Sequence, residues 1–162
     1  MHPEIESILS LPRQFSSLGY VLSTNGTVRG ELDSAIVDNR WLVAVSLHGG
    51  EETHNSYTNS RSWKRVVKRI ASLAQSTNVH IYSVVHERMN ISDVDWLLRF
   101  QAENGVKFLR FIAPRNFGRY ENSCNTDLYE YVNSLEGASI GFKTSSSNTR
   151  FLPVSGVPRM SN

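Results

Sequence analysis

Three short apolar runs, over residues 41–47, 79–85 and 106–113, recur along the chain, and each is closed by a polar cluster. His48-Gly49-Gly50-Glu51-Glu52 follows the first, His86-Glu87-Arg88 the second and Pro114-Arg115-Asn116 the third. Runs of this length, bounded by polar residues, predict strands. The first is apolar on both faces except at Ser46, which suits a strand covered on both sides. Two helical periodicities lie between the runs. In residues 61–76, Trp63, Val66, Val67, Ile70 and Ala74 share one stripe, with Ser60 as N-cap and Asn78 as the stop. The second begins at Ser92, with Asp93 and Asp95 in its first turn, where the helix dipole favours acids. It buries Trp96, Leu97 and Phe100 and ends at Asn104-Gly105. A helix that returns directly into a strand marks a βαβ crossover, so the centre reads β-α-β-α-β.

The flanks are less periodic. Residues 3–10 predict a short helix ended by Pro12. Residues 20–22 and 27–29 flank Asn25-Gly26, the preferred pair of a type I′ turn, and predict a β-hairpin. A short strand is expected near residues 35–37, a polar loop over 49–59, a helix over 126–135 carrying Leu128, Tyr131, Val132 and Leu135, and edge strands at 138–143 and 150–154. The fold class is therefore α/β: a β-hairpin followed by a β-α-β-α-β core with a partly parallel mixed sheet. The alternative is α+β with an antiparallel sheet. The length of 162 residues suits one domain, expected over 1–156 with 157–162 as a loose tail.

Composition adds mostly exclusions. Net charge is +2, too mild to name a partner by itself. Cys124 is the single cysteine, so no intrachain disulfide can form, and a cytoplasmic location fits. No signal peptide is evident, and no run approaches the ~18 apolar residues of a membrane span. Gly49-Gly50 is not a P-loop, and neither a dinucleotide fingerprint nor a nucleophile elbow occurs, so no cofactor is assigned.

Candidate chemistry lies in two places. If the three strands are parallel, their polar clusters gather at one sheet edge, where α/β proteins place ligands. His48, Glu51, Glu52, His86 and Glu87 are then the candidates for acid–base catalysis on a nucleotide-like phosphorylated ligand, with Arg115 nearby. His48, Glu51, Glu52 and His54 match no zinc spacing, so no metal is assigned. His80 and His86 lie on one strand face but ~20 Å apart, too far for one dyad. Cys124 lacks an adjacent base and is not read as a nucleophile. Trp41, Trp63 and Trp96 read as core. The second place is the helix over 61–76, whose Arg61, Lys64, Arg65, Lys68 and Arg69 form a basic face without an acid. Arg115 and Arg119 follow, interleaved with Phe117 and Tyr120. Basic residues neutralise phosphates and aromatics stack on unpaired bases, which points to nucleic acid or another polyanion.

The order of segments resembles rolling-circle replication initiator proteins of filamentous phages and plasmids. The shared features are an apolar strand over 40–47, a basic amphipathic helix over 61–76, a strand over 79–87 ending in glutamate, and the tail Arg150-Phe151-Leu152-Pro153-Val154-Ser155-Gly156. The resemblance implies an antiparallel sheet and a DNA partner. The family's His-apolar-His metal pair is absent, and Tyr129 and Tyr131 precede no nearby lysine, the next being Lys143. No catalytic residue carries over. The leading expectation is a small nucleic-acid- or polyanion-binding domain of viral or mobile-element type. The alternatives are an enzyme or binding protein for a nucleotide-like ligand at the sheet edge, and a non-catalytic protein-binding inhibitor or adaptor.

Overall fold

The computed structural model describes residues 4–15, 17–27, 30–112, 126–135 and 140–141. Five strands run in chain order across one sheet, and every pairing is parallel: β1 (Val21–Thr24), β2 (Leu42–Ser46), β3 (Val79–Val84), β4 (Phe108–Ile112) and β5 (Ile140–Gly141). The α/β class is as expected, and the antiparallel alternative is not what forms. The helices are α1 (Ile5–Leu9), α2 (Leu11–Gln14), α3 (Asp33–Asp38), α4 (Glu51–Thr58), α5 (Trp63–Ala74), α6 (Ile91–Asn104) and α7 (Thr126–Ser134).

Consecutive neighbours joined by right-handed crossovers keep all crossover helices on one side of a sheet. Burial shows this directly. Val43, Val45, Val79, Ile81, Leu109 and Phe111 are buried in one core with Ile36 of α3, Val66, Ile70 and Leu73 of α5, Val94, Leu97 and Phe100 of α6, and Leu128 and Val132 of α7. Full burial of each such aliphatic side chain contributes roughly 1.5–3 kcal/mol. The alternate strand positions form the opposite face. His80, Tyr82, Val84, Phe108, Arg110 and Ile112 are only half-buried there, and Val21 is 54% exposed. On β2 itself Ala44, which points to that opposite face, is buried as well, as expected of a strand covered on both sides, while the described helices pack on the Val43–Val45 face.

Several local expectations also change. Val21–Thr24 is a strand, but its partner is β2 in parallel register, Leu22 beside Val43. Of Asn25-Gly26 only the glycine has positive φ, at 73°, so the pair does not make a type I′ hairpin turn. Gly26 is needed for a different reason: a Cβ there would lie 2.9 Å from Val45 Cγ1 and 3.0 Å from Val66 Cγ1. Residues 28–29, the far arm of the expected hairpin, lie outside the described residues. Residues 35–37 belong to α3, and Pro12 sits in the first turn of α2 rather than ending a helix in coil. Proline tolerates that position because the first N–H groups of a helix have no partner within it. The loop expected over 49–59 contains α4, and the N-cap of α5 is Ser62 rather than Ser60. The edge strand expected at 138–143 contains β5; that at 150–154 and the tail lie outside the described residues.

Candidate functional site

Beyond β2 and β3 the chain turns into a buried polar cluster built on His48, His54 and His86, with exposures of 5%, 1% and 3%. Gly49 has φ 85°, which sends the chain from β2 sharply into α4. Asp93, at the start of α6, locks this turn. Its Oδ1 accepts from the Gly50 N–H at 2.8 Å, and its Oδ2 accepts from Thr53 Oγ1 at 2.9 Å and from the Asn90 N–H at 3.0 Å. Asn90 Oδ1 accepts from the Asp93 N–H in return, which completes a capping box. Trp63 Nε1 donates to the Gly49 carbonyl at 3.1 Å, and its backbone N–H donates to Asn55 Oδ1. Asp93, expected only to complement the helix dipole, therefore joins α6 to the β2–α4 turn.

Each imidazole takes a backbone donor. His48 Nδ1 accepts from the Val84 N–H at 3.0 Å, His54 Nδ1 from the His48 N–H at 3.3 Å, and His86 Nδ1 from the Arg88 N–H at 3.2 Å. An accepting Nδ1 belongs to the neutral ring with its proton on Nε2. Burial, and then the neighbouring His54 and His86, hold His48 down to about 3. Burial pushes His86 down to about 4, against the opposing pull of Asp93 and Glu87. Tyr57 of α4 stacks on His86 with centroids 4.2 Å apart and meets His48 edge-on at 4.6 Å.

The other edge candidates are placed apart from this cluster. His48 and His86 rings are 6.4 Å apart. Glu51 and Glu52 are exposed on α4, Glu51 pairing with Lys64 at 3.5 Å, and Glu87 is exposed beside Arg88 at 4.0 Å. Arg88 also donates to Ser56. Because both partners of the Lys64–Glu51 pair face solvent, Lys64→Ala is expected to change unfolding free energy by less than ~0.5 kcal/mol; a larger loss in urea titrations would contradict the weak pairing. No group of three or more metal-ligating side chains occurs among the described residues. His80 and His86 do not share a strand face as expected, since β3 ends at Val84. His80 lies on the open face beside Phe108, 5.2 Å away.

Of the basic run, Arg61, which precedes α5, and Lys64, Arg65 and Lys68 on it are exposed. Arg69 is not on that outer face. Its guanidinium is turned under the helix and donates to Asp33. Arg115, Arg119, Phe117, Tyr120 and Cys124 lie outside the described residues.

The sheet face opposite the described helices carries a row that no local motif singles out. Ser46, Tyr82 and Arg110 are register partners across β2, β3 and β4. Neighbouring strands are ~4.8 Å apart, so the Cα atoms of a serine, a tyrosine and an arginine fall within roughly 10 Å, with Ser46 the last residue of β2 and Arg110 the middle one of β4. The signal was present as alternation in Val79-His80-Ile81-Tyr82, where every second residue is amphipathic.

No protein-family model and no curated protein sequence matches the chain. Solved structures do. SuiB of Streptococcus suis superposes with a TM-score of 0.66 at 15% identity, over 89% of this chain and 36% of SuiB. It has also been solved with S-adenosylmethionine and with its precursor peptide SuiA. anSMEcpe with bound AdoMet and a Kp18Cys peptide gives 0.58 at 22% identity, over 86% of this chain and 45% of that one. A domain of pyruvate-formate lyase-activating enzyme from Bacteroides vulgatus gives 0.68 at 15% identity, over 88% and 92%. The fold is the one these proteins share. The chain spans about a third of the length of SuiB. These likenesses correct the resemblance to rolling-circle initiators: the sheet is parallel throughout, and the structural neighbours are not nucleic-acid-binding proteins of viruses or mobile elements. No described helix is long and apolar enough to cross a membrane.

Proposed function

We propose that this chain is a ligand-binding α/β domain that takes a nucleoside-like molecule of the S-adenosylmethionine type on its open sheet face. The observation that carries the reading is the Ser46–Tyr82–Arg110 row, which crosses three parallel strands from the carboxyl end of β2 to the middle of β4. Ligands of open parallel sheets gather at the carboxyl end. Tyr82 offers a ring on which an adenine stacks, Arg110 a positive charge that favours an amino-acid carboxylate nearby, and Ser46 a hydroxyl for a ribose or amine. The AdoMet-bound SuiB and anSMEcpe structures support the ligand class, and their peptide-bound forms support a peptide as a partner.

The histidine cluster is the scaffold of this edge in our reading. Its Nδ1 atoms accept from backbone donors, so the His48 ring ties the turn after β2 to the end of β3 and the His86 ring braces the loop after β3. An iron–sulfur cluster does not fit the chain's own donor set: such clusters take thiolates from about four cysteines, and Cys124 is alone. No step through such a cluster is assigned.

Isothermal titration with S-adenosylmethionine tests the proposal. Saturable binding is expected, with Tyr82→Ala and Arg110→Ala each weakening it roughly tenfold, or ~1.4 kcal/mol. Absence of saturable binding at millimolar ligand, or wild-type affinity in both variants, would overturn it.

A further inference from the structure

Beneath the opposite, helix-covered face lies a cavity of about 210 Å³ between β1, α1, α3 and α5. Leu9, Leu22, Ile36, Val43 and Leu73 form an aliphatic wall, Ser23 and Thr24 line its β1 edge, and Arg69 is the one charged side chain among the described residues that line it. Arg69 keeps only 11% of its side chain exposed, and its Nη2 donates to Asp33 at the first turn of α3. Its Nε and Nη1 atoms are buried without a hydrogen-bond partner. Buried guanidinium donors left unmade are costly, so a site that keeps them is one where an acceptor is expected. The wall restricts what that acceptor can be. A carboxylate accepts from both guanidinium donors through its two oxygens and has no hydrogens to place, whereas a water has two hydrogens to place in a cavity whose lining is mainly aliphatic beyond Ser23 and Thr24.

We propose that this cavity binds a small carboxylate with an apolar body of about the size of benzoate. The carboxylate accepts from Arg69 Nε and Nη1, and the body fills the space against Leu22, Ile36 and Leu73. The volume allows it, since a cavity of ~150 Å³ lined by aliphatic residues holds benzene. Asp33 stays paired with Nη2; its partial exposure leaves its charge screened, so the guanidinium retains its pull on a second anion. The site is separate from the Ser46–Tyr82–Arg110 row, because Leu22 and Val43 are register partners on the other face of the sheet.

The test is isothermal titration of the full chain with sodium benzoate, with benzyl alcohol as the neutral comparison. One saturable site is expected, with benzyl alcohol weaker than benzoate. Arg69→Met, which removes the donors and keeps the length, should weaken benzoate by roughly tenfold or more, ~1.4 kcal/mol per tenfold. Leu22→Phe, which fills the cavity from the half-buried edge of β1 and leaves the Arg69–Asp33 pair intact, should abolish binding. Far-UV circular dichroism establishes that each variant is folded, and if Arg69→Met unfolds, the Leu22→Phe result decides. No saturable binding of benzoate at millimolar concentration, or undiminished binding in a folded variant, would overturn the proposal.

Discussion

Replacing Gly49 with alanine is expected to destabilise the protein by on the order of 3–5 kcal/mol, against roughly 1 kcal/mol or less for Gly50→Ala one residue along the backbone. Gly49 sits at φ 85°, and a Cβ there would lie 2.6 Å from Asp93 Oδ1 and 2.7 Å from its Cγ. An L-residue in left-handed backbone costs roughly 1–2 kcal/mol. The rest comes from displacing Asp93, a 6% exposed carboxylate that accepts from Gly50, Thr53 and Asn90 at once. Hydrogen bonds to a charged group are worth about 1.5–3 kcal/mol each, so one lost bond is at least comparable to the strain and two exceed it. At Gly50 the added Cβ would be 3.3 Å from the same oxygen, and φ is −66°, ordinary for any residue. Urea unfolding of the two variants checks the contrast. Equal midpoints for Gly49→Ala and wild type would show that the turn yields where the packing says it cannot.

Acidification from pH 7.5 to 5 is expected to remove about 4 kcal/mol of stability, mostly through His48 and His86. Their folded-state values fall to about 3 and about 4, while an unfolded histidine titrates near 6.5. Above pH 6.5 both states hold the rings neutral, and the folded state keeps its full stability. Below 6.5 the unfolded chain takes up protons that the folded rings refuse, so stability falls at ~1.4 kcal/mol per pH unit for each ring. The loss ends only as pH passes the folded values. His54 and His80, also lowered by burial, add to it in the same direction. The window above pH 5 matters because unfolded carboxylates titrate near 4 and contribute little there. Urea unfolding at pH 7.5, 6.5, 5.8 and 5 measures the slope. His48→Gln should lower stability at pH 7.5 through its lost bond to the Val84 N–H, yet flatten the pH dependence. A stability that stays level across this window in the wild-type protein would refute the buried, neutral assignment of both rings.

Local pattern was enough for the elements with strong periodicity. The stripe Trp63, Val66, Val67, Ile70 and Ala74 places α5, and Asn104-Gly105 ends α6 with Gly105 at φ 67°. The same pattern gave β2, β3 and β4 to within two residues, because short β-branched runs between polar clusters have few other structures to adopt. Where local chemistry allowed two outcomes, it misled. Asn25-Gly26 suits a hairpin, yet Gly26 is used for close approach to Val45 and Val66 instead. Residues 51–58 carry no apolar stripe and read as loop, but they form α4 because Asp93, forty residues away in sequence, holds its first turn. Arg69 falls within a run of basic residues and reads as solvated. Its place beside Ile70 on α5 puts it instead at the edge of the buried stripe, where Asp33 and the cavity receive it.

By itself, then, the amino-acid sequence determined the class of fold, the order of its central strands and helices, and the edge at which His48 and His86 gather. Those depend on periodicity and on turn residues within a few positions of one another. Only the tertiary structure decided which sheet face is covered, which of the edge side chains meet, and which basic residue is buried. Each of those depends on parallel register and crossover direction, which bring together residues 28 and 36 positions apart, as in Tyr82 with Arg110 and with Ser46. No local propensity encodes such a pairing, because the free energy that selects it is realised only when the whole helix layer closes over one face of the sheet.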